Sequence, residues 1–539
     1  MPSAAPSADA IATARPPWWA RPGWVAALVG GYLLAHFLLR LSQGAVLGID
    51  DAEQILFAQK LQWSYRFEQP PLFTWLLTGA VELLGPGVAA AGVVRYALLA
   101  LCYAAVYGVA RRVIDDPRDA ALALYAFATV YVFAYFAHHD LTHTTALSAL
   151  IAVVWWAAAR AVERPTTATY ALVGAAFGLA LLSKWNFALL GAGLPIAALL
   201  MPRYRSLILT PRFLVAVAVM LAVALPSAIW VLVERPEAEG VVDSVLGSGG
   251  EAGFLATLTD GSVTLAVALI AYPQPFLVLF AVAFGPALWR ALRAPAGASG
   301  SSGGGPDARL RADLLWATMA VTVALHWLLV PVLGATEFEE RWMQPALMVL
   351  PLALFTLAER GRPAAWSRSL FGVFVAGLVA IAFAARIVTW ELGADHCGSC
   401  RTMVPFPALA DQVREAGFTG GTIAVDDFHI GGNLRAEFPD SRVVEIDYPP
   451  SVFPPPRAAG GSGQCLLAWK VSDGRDGAPE ATPAPMPPPD KLARAVAERF
   501  DAPGAEPAAI GIAEAPMRRS ARAYRMGWAL YPDGAGTCR

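Results

Sequence analysis

Charged residues are scarce in this sequence. Asp, Glu, Lys and Arg make up 15% of its 539 residues, whereas 56% are hydrophobic. Soluble globular domains carry about 25% charged residues, so a composition this apolar excludes an ordinary soluble protein. We expect a protein that crosses a membrane several times and is surrounded by membrane lipids.

Excess positive charge is also missing. The formal net charge is -2, and the sequence has no run rich in Lys and Arg. Proteins that bind nucleic acid use such residues to neutralise its phosphates. We therefore expect no nucleic-acid partner.

Long apolar segments are abundant. About eleven of them approach the length of about 20 residues that a membrane-spanning helix needs. The first follows Arg15 and Arg21 and has no small-residue cleavage site, so we interpret it as an anchor rather than a removed signal peptide. The segments are 24–41, 88–110, 119–137, 144–162, 168–183, 185–201, 213–233, 263–289, 314–333, 342–358 and 369–389.

The connections between these segments alternate between basic and acidic. Since Lys and Arg accumulate in cytoplasmic loops, the basic connections and residues 1–23 are predicted to lie in the cytoplasm. The acidic connections and the chain after the last span then lie outside, which in a bacterium is the periplasm. The basic residues are Arg111, Arg112, Arg118, Arg160, Arg164, Arg203, Arg205, Arg212, Arg290, Arg293, Arg309, Arg311, Arg360, Arg362 and Arg368. The acidic residues are Asp50, Asp51, Glu53, Asp140, Glu234, Glu237, Glu239, Asp243, Glu251, Glu337, Glu339 and Glu340.

The sequence pattern changes after residue 389. Short periodic segments bounded by Pro and Gly predict a small domain with alternating helices and strands. The fold class is therefore an all-α polytopic membrane domain over 24–389 with a C-terminal extracytoplasmic α/β domain over 390–539. The predicted helices are "FPALADQVREAG" and "GGNLRAEFPDS", the predicted strands are "GTIAVDD", "RVVEID", "CLLAWKV" and "AYRMGWALYP", and the Pro-rich segments 447–463 and 480–491 are predicted loops.

Four of the five cysteines lie in this C-terminal region. An oxidising compartment such as the periplasm allows them to form disulfides, so we expect at least one. Their spacing leaves the pairing open. "CGSC" at 397–400 also has the spacing of a redox motif, but no thioredoxin-like strand and helix surround it. The four residues are Cys397, Cys400, Cys465 and Cys538.

Four polar clusters lie at the predicted outer ends of the spans. They are "DDAEQ" at 50–54, "HHDLTH" at 138–143, "SKWN" at 183–186 and "EFEERW" at 337–342. Ionisable groups near membrane depth are costly and usually mark a transport pathway or a catalytic centre, although each cluster alone is also compatible with a solvated loop end. A carboxylate can take a proton from a hydroxyl, and Lys and Arg can neutralise a departing phosphate.

The order of these motifs carries a family resemblance. "IDDAEQ", "YRFEQPPLFTWL", "HHDLTHTTALSAL", "LLSKWNFALL" and "ERWMQPALMVLPLAL" follow one another as in the family 39 glycosyltransferases of the GT-C fold. The sequence resembles the protein O-mannosyltransferase and aminoarabinose transferase type, which uses polyprenyl-phosphate sugars. The resemblance covers roughly residues 20–390 and excludes the C-terminal region.

The resemblance implies roles for three acids. Asp50 matches the first acid of the family's acidic pair in the first outer loop, the base that activates the acceptor. Asp51 stands where the family more often has Glu, and would be a supporting acid or a metal contact. Asp140 matches the acid of the second outer loop.

It also implies a phosphate site and a reaction. Lys184 and Arg341 are expected to contact the donor phosphate, with Arg95 as a further candidate. Attack of the acceptor hydroxyl on the anomeric carbon would invert its configuration and release polyprenyl phosphate. For a bacterial inner-membrane protein, the expected acceptor is an envelope glycolipid such as lipid A or lipopolysaccharide, and the alternative is a protein hydroxyl.

Other interpretations remain open. A lipid or sugar transporter would also hold charges at one membrane face, but "DDAEQ" has no second copy of the kind expected from inverted repeats. A non-catalytic assembly subunit is the third possibility. His138, His139 and His143 resemble metal ligands but are more often hydrogen-bonded caps, so the need for a divalent cation is left open. Glu339 or Glu340 could simply pair with Arg341.

Overall fold

The structure is a computed structural model, and it is largely helical with one small sheet near the C-terminus. It describes residues 16–66, 69–234, 253–294, 310–397, 401–455, 463–472, 486–499 and 506–531. The predicted cytoplasmic linker around Gly303 and the acids Glu237, Glu239, Asp243 and Glu251 lie outside the described residues.

Helices dominate the chain up to residue 392. These are α1 (Pro22–Ser42), α2 (Ile49–Phe57), α3 (Leu72–Leu84), α4 (Val88–Val113), α5 (Pro117–Tyr125), α6 (Tyr131–Ala134), α7 (His143–Glu163), α8 (Thr167–Leu181), α9 (Phe187–Leu200), α10 (Arg205–Ile208), α11 (Pro211–Glu234), α12 (Phe254–Ala271), α13 (Phe276–Arg293), α14 (Ala312–Leu333), α15 (Gln344–Leu347), α16 (Leu350–Arg360) and α17 (Ala365–Leu392). Short 3-10 turns lie at Trp18–Ala20, Ala126–Thr129, Phe136–His138 and Glu340–Met343.

Many of these helices can cross a membrane. Within the described residues, 8 helices are long and apolar enough, or 9 if the bent pair Glu340–Leu347 and Leu350–Arg360 counts as one span. The predicted spans 168–183 and 185–201 correspond to α8 and α9, which are apolar but have only 15 and 14 residues. The polytopic helical domain is confirmed, and the number of about eleven spans stays a prediction.

Three predicted spans are interrupted, which corrects the expectation of continuous helices. The segment 342–358 bends between α15 and α16, and the interruptions of the other two lie against each other. The segment 119–137 is divided into short helices and 3-10 turns, and 263–289 is divided between α12 and α13. Pro273 and Pro275 lack the amide N–H that would continue a helix. The two interruptions meet each other, because the N–H of Tyr131 donates to the carbonyl of Gln274 at 3.0 Å and Val130 forms a bridge with Pro275. Backbone groups freed inside the membrane domain are thus satisfied by protein.

Helix α4 shows how polar residues are divided between the two ends of the membrane domain. Arg95, near its beginning, pairs with Asp51, whereas Arg112, near its end, pairs with Glu163 at 2.8 Å. At 1.5 Å per residue these two arginines are about 26 Å apart along the helix. The candidate site therefore lies at the Arg95 end, which is also the end that carries the C-terminal domain.

The C-terminal domain contains a mixed five-stranded sheet. Its strands are β1 (Gly421–Val425), β2 (Arg442–Glu445), β3 (Gln464–Ser472), β4 (Ala509–Pro516) and β5 (Ala523–Tyr531), in the order β2-β1-β3-β5-β4. Strand β1 runs parallel to β2 and β3, and β5 runs antiparallel to β3 and β4. The helices are α18 (Phe406–Glu415), α19 (Phe428–Glu437) and α20 (Asp490–Arg499).

The predicted α/β domain is thus confirmed, including its four predicted strands. Strand β4 and helix α20 were missed, because "AIGIAEAP" is rich in small residues and α20 directly follows a Pro-rich segment that predicts loop. Cys397 and Cys465 are both disulfide-bonded, which confirms the expected disulfide. Cys400 and Cys538 lie outside the described residues.

Candidate active site

The first outer loop contains the short helix α2, which carries the acids of "DDAEQ". Its first amide groups point to Asp140, whose carboxylate accepts hydrogen bonds from the N–H of Ile49 at 2.8 Å and of Asp50 at 3.2 Å. The first turn of a helix has free N–H groups and a partial positive charge, which an acceptor with negative charge satisfies. Asp140, predicted as a site acid, therefore lies at the N-terminus of α2 and holds it from another loop.

A glycine makes this contact possible. Gly48 precedes α2, and a Cβ atom added there would lie 2.4 Å from Oδ1 of Asp140. A Cβ atom essentially never makes a non-bonded contact this short, so any side chain at this position would displace the carboxylate. The "GIDDAEQ" motif thus needs its glycine as well as its acids.

Asp51 and Arg95 form a buried ion pair between α2 and α4. Oδ1 of Asp51 lies 2.5 Å from an Nη atom of Arg95, and both side chains are almost inaccessible to solvent. Removing one partner of such a pair leaves an uncompensated buried charge, which is strongly destabilising. Arg95, predicted as a phosphate ligand, is therefore already occupied by Asp51 in this structure.

Glu53 is also buried and fully engaged. It forms an ion pair with Arg66, and it accepts hydrogen bonds from the hydroxyl of Tyr448 at 3.1 Å and from Nε2 of Gln54 at 3.2 Å. Tyr448 belongs to the C-terminal domain. Glu53 belongs to the polar cluster "DDAEQ", but no pattern in the sequence indicates that a residue so far along the chain contacts it.

Asp50 differs from its neighbours. Its carboxylate has no hydrogen-bond or ion-pair partner among the described residues, and the residue is half-buried. Burial, and then the negative charges of Glu53 and Asp51, raise the pKa of Asp50 to about 6, although Arg341 and Arg95 act in the opposite direction. An available carboxylate with a pKa close to neutrality has the properties of a general base.

Two cations lie near Asp50. Lys184 is between α8 and α9, and its Nζ donates to the hydroxyl of Thr144 at 3.3 Å. Burial, and then the charge of Arg341, lower the pKa of Lys184 to about 8, and Asp50 opposes this shift. Because Arg341 acts on the pKa of both Asp50 and Lys184, the three charges lie in one region. The structure thus brings together the predicted base and both predicted phosphate ligands.

Arg341 lies in the turn Glu340–Met343 and is half-exposed. It forms an ion pair with Glu339, so the simpler interpretation of the "EFEERW" acids is correct for Glu339. This pairing does not remove Arg341 from the site, since an exposed ion pair contributes little stability and can be exchanged for a ligand.

The three histidines do not form a metal site. Within the described part of the chain, no group of three or more His, Cys, Asp and Glu side chains is arranged to hold a metal ion. His138 instead lies 2.6 Å from the hydroxyl of Tyr32 and stacks on His36 with ring centroids 3.8 Å apart.

The C-terminal domain packs directly on α2. The side-chain oxygen of Asn433 accepts a hydrogen bond from the N–H of Leu47 at 2.8 Å, and Nε2 of His429 donates to the carbonyl of Leu47 at 3.0 Å. A Cβ atom at Gly432 would lie 2.1 Å from the carbonyl oxygen of Ala52. Helix α2 is therefore clamped between α19 of the C-terminal domain and the membrane domain. No pattern in the sequence indicates this contact.

A helical membrane scaffold that presents an available carboxylate beside two cations has the parts needed for glycosyl transfer from a phosphate-linked donor. Comparisons with known proteins agree with glycosyl transfer. Residues 68–230 match the family model described as dolichyl-phosphate-mannose-protein mannosyltransferase. The lipopolysaccharide core galacturonosyltransferase RgtA of Rhizobium johnstonii is 32% identical over 450 residues, which cover 82% of this chain and 86% of RgtA. The lipopolysaccharide core galacturonosyltransferase RgtB of the same organism is 29% identical over 428 residues, which cover 79% of this chain and 83% of RgtB.

The chain belongs to the family 39 type of membrane glycosyltransferases. It is a multi-pass membrane enzyme. Its fold is similar to the crystal structure of ArnT from Cupriavidus metallidurans bound to undecaprenyl phosphate, with a TM-score of 0.57, 15% identity and coverage of 94% of this chain and 98% of ArnT. This likeness confirms the GT-C fold that the sequence motifs suggested.

Proposed function

We propose that this enzyme transfers a sugar from a polyprenyl-phosphate donor to a lipopolysaccharide acceptor, and that Asp50 is the general base. The observation that carries the proposal is the state of the three acids on α2. Asp51 and Glu53 are buried and paired, whereas Asp50 has no partner among the described residues and lies near Lys184 and Arg341.

The reaction is a single displacement. Asp50 takes the proton of the acceptor hydroxyl while the oxygen attacks the anomeric carbon, and the bond from that carbon to the phosphate oxygen breaks with its electron pair on the phosphate. Lys184 and Arg341 stabilise the charge that increases on the departing polyprenyl phosphate. Attack from the side opposite to the leaving group inverts the anomeric configuration.

The remaining site residues hold Asp50 in position. Asp140 fixes the N-terminus of α2, and the Asp51–Arg95 pair fixes its buried side. We therefore assign Asp51, Asp140 and Arg95 to positioning. For Arg95 this replaces the expectation of a phosphate contact, because its guanidinium is buried against Asp51.

The relatives support the choice of substrates. RgtA and RgtB are lipopolysaccharide core galacturonosyltransferases and match most of this chain, whereas the mannosyltransferase family model covers only 68–230. A lipopolysaccharide acceptor is thus favoured over a protein hydroxyl, and galacturonic acid is the first donor sugar to test. Undecaprenyl phosphate bound to ArnT supports a polyprenyl-phosphate carrier.

The basic loops support a periplasmic site. Arg111, Arg112 and Arg368 lie at the end of the membrane domain opposite to Arg95, as the distribution of positive charge predicts for a cytoplasmic side. In the proposed arrangement, residues 1–23 are cytoplasmic, 24–389 form the membrane domain and 390–539 are periplasmic. Labelling of single cysteines placed near Arg205 and near Asp427 tests this, since only the second should react from the periplasm.

Comparison of two strains tests the function. Lipopolysaccharide from a deletion strain should lack a sugar that is restored by the wild-type gene and not by Asp50→Asn. The mass difference identifies the sugar, and fragmentation locates it. Unchanged lipopolysaccharide together with a lost protein glycan would contradict the proposal and favour a protein acceptor.

A further inference from the structure

A second polar site lies where the membrane domain meets the C-terminal domain. A cavity at this junction is lined by Arg40 and Gln43 at the end of α1, His139, Arg386 and Trp390 on α17, and Thr402 from the first turn of the C-terminal domain. We call it the junction cavity. Among the described residues that line it, none is Asp or Glu.

The two arginines of the junction cavity are buried charges without a carboxylate. Arg40 is 3% and Arg386 is 2% exposed, and neither forms an ion pair with a described residue. The Nη atoms of Arg40 donate to the carbonyls of Gly44 at 3.2 Å and Val46 at 2.6 Å. One Nη atom of Arg386 donates to Nδ1 of His36 at 2.7 Å, with the carbonyl of His36 at 3.5 Å, and the other Nη atom lies 3.5 Å from Oε1 of Gln43.

Their hydrogen-bonding capacity is not used up. The Nε atoms of both Arg40 and Arg386 are buried and have no partner among the described residues. Buried guanidinium groups are normally paired with an acid, because an uncompensated charge away from water is costly. Two such groups around a cavity without acids make a site for an anion, and planar guanidinium groups suit the oxygens of phosphate and carboxylate.

The junction cavity is separate from the donor phosphate ligands. Neither Lys184 nor Arg341 is among the described residues that line the cavity. His139, next to Asp140 in the chain, connects the cavity with the loop that holds α2.

This separation fits the geometry of an inverting transfer. The acceptor approaches the anomeric carbon from the side opposite to the leaving phosphate, and Lys184 and Arg341 occupy the phosphate side. The cavity is lined by residues of both domains, since Arg40 and Arg386 belong to the membrane domain and Thr402 to the C-terminal domain.

We infer that the junction cavity binds an anionic substituent, a phosphate or carboxylate, of the acceptor glycolipid. This rests on the proposed function for the identity of the acceptor, and on the cavity alone for the preference for an anion. The bound anion would compensate Arg40 and Arg386 and would hold the acceptor sugar with its hydroxyl next to Asp50.

Kinetics with the full chain in lipid nanodiscs test the inference. Arg386→Gln should raise the KM for lipopolysaccharide by about tenfold or more, since a hydrogen bond to a charged group contributes about 1.5–3 kcal/mol. The donor KM should not change. Arg386→Lys keeps the positive charge but lacks the planar guanidinium group, so it should raise the KM for lipopolysaccharide by less than Arg386→Gln does. Arg494→Gln, which removes an exposed charge of the C-terminal domain, is the matched control and should leave both KM values as in the wild type.

Chemically modified acceptors identify the anion. Lipopolysaccharide with its phosphates removed by hydrofluoric acid forms one arm, and lipopolysaccharide with its carboxyl groups reduced forms the other. The acceptor that lacks the recognised anion should be used equally by wild type and Arg386→Gln. An equal KM of the two proteins for native lipopolysaccharide, or a difference that persists with both modified acceptors, would overturn the inference.

Direct binding separates this inference from the proposed function. Native mass spectrometry can count deacylated lipopolysaccharide oligosaccharides bound to the full chain, with inorganic phosphate as competitor. One outcome is that the wild type binds the oligosaccharide but transfers no sugar, while Arg386→Gln does not bind it. This outcome would support the cavity and contradict the proposed function. Turnover with oligosaccharide binding that is equal in wild type, Arg386→Gln and Arg386→Lys would contradict the cavity alone. Melting temperatures of the two variants show whether each is folded. The binding result is taken from the variant that is folded.

Discussion

The carboxylate of Asp140 accepts a hydrogen bond from the backbone N–H of Asp50 at 3.2 Å. Two loops that are far apart in the sequence are thereby joined at the residue proposed as the base. The side chain of Asp50 is left available, while its backbone is fixed. The same carboxylate also accepts a hydrogen bond from the N–H of Ile49, so the direction in which α2 starts depends on Asp140.

Substitution of Asp140 should separate positioning from proton transfer. Asp140→Asn keeps an oxygen that can accept the Ile49 N–H, so it should retain more turnover than Asp140→Ala, which should also lose about 1 kcal/mol of stability as a helix cap. Turnover and melting temperature measured together check this. If Asp140→Asn were as inactive as Asp50→Asn, a direct chemical role for Asp140 would be indicated instead.

The pH dependence should reflect Asp50 and Lys184. Asp50, with a pKa of about 6, must be deprotonated to act as a base, so kcat/KM should rise with pH through about 6. Lys184, with a pKa of about 8, must be protonated to hold the phosphate, so kcat/KM should fall as the pH rises above 8. A bell-shaped profile is expected, and it is measured by initial rates at low donor concentration.

A charge-preserving variant tests the assignment of the upper limb. Lys184→Arg keeps a cation that does not titrate in this range, so the fall above pH 8 should disappear while the rise through pH 6 remains. Persistence of the upper limb in Lys184→Arg would show that another group causes it.

The two proposed phosphate ligands should affect both donor binding and turnover. Lys184→Ala and Arg341→Ala remove cations that face the phosphate before and during its departure, so donor KM should rise and kcat should fall. Arg290→Ala, at the opposite end of the membrane domain, is the control and should change neither. A normal donor KM in both site variants would exclude them as phosphate ligands.

The C-terminal domain should be needed for catalysis because it clamps α2. Gly432→Val places a side chain against the backbone of Ala52 and should displace α2, with kcat reduced by about tenfold or more, since small displacements of catalytic groups are costly. Gly372→Val adds the same side chain in α17, where a Cβ atom meets nothing within 4 Å. It should keep normal turnover. Equal turnover of the two variants would show that the clamp has no catalytic role.

The reactive residues are easier to recognise in the sequence than the residues that hold them in place. Asp50, Lys184 and Arg341 stand out because charges are rare in an apolar chain, and the structure brings them into one region. The cap by Asp140 and the contact of Tyr448 with Glu53 join distant parts of the chain, and no local pattern encodes such contacts.

The same division applies to the fold. Apolar length predicted most of the helices, and strand periodicity predicted four of the five strands. The interruption at Val130 was not predictable, because the backbone groups exposed there are satisfied by Gln274 and Pro275 from a distant helix pair. Buried Arg40 and Arg386 did carry a signal, since an arginine in an apolar run is unusual, but their meeting at one cavity required the structure.

Turnover by Asp50→Asn tests the central claim most directly. The purified variant in lipid nanodiscs is titrated with a polyprenyl-phosphate sugar at saturating lipopolysaccharide, and kcat and donor affinity are measured beside the wild type. Asparagine keeps the shape of the side chain but cannot take the proton, so kcat should fall by about 10²–10⁴-fold with donor affinity preserved. Near wild-type turnover of a folded Asp50→Asn protein would contradict the account and show that Asp50 is not the base.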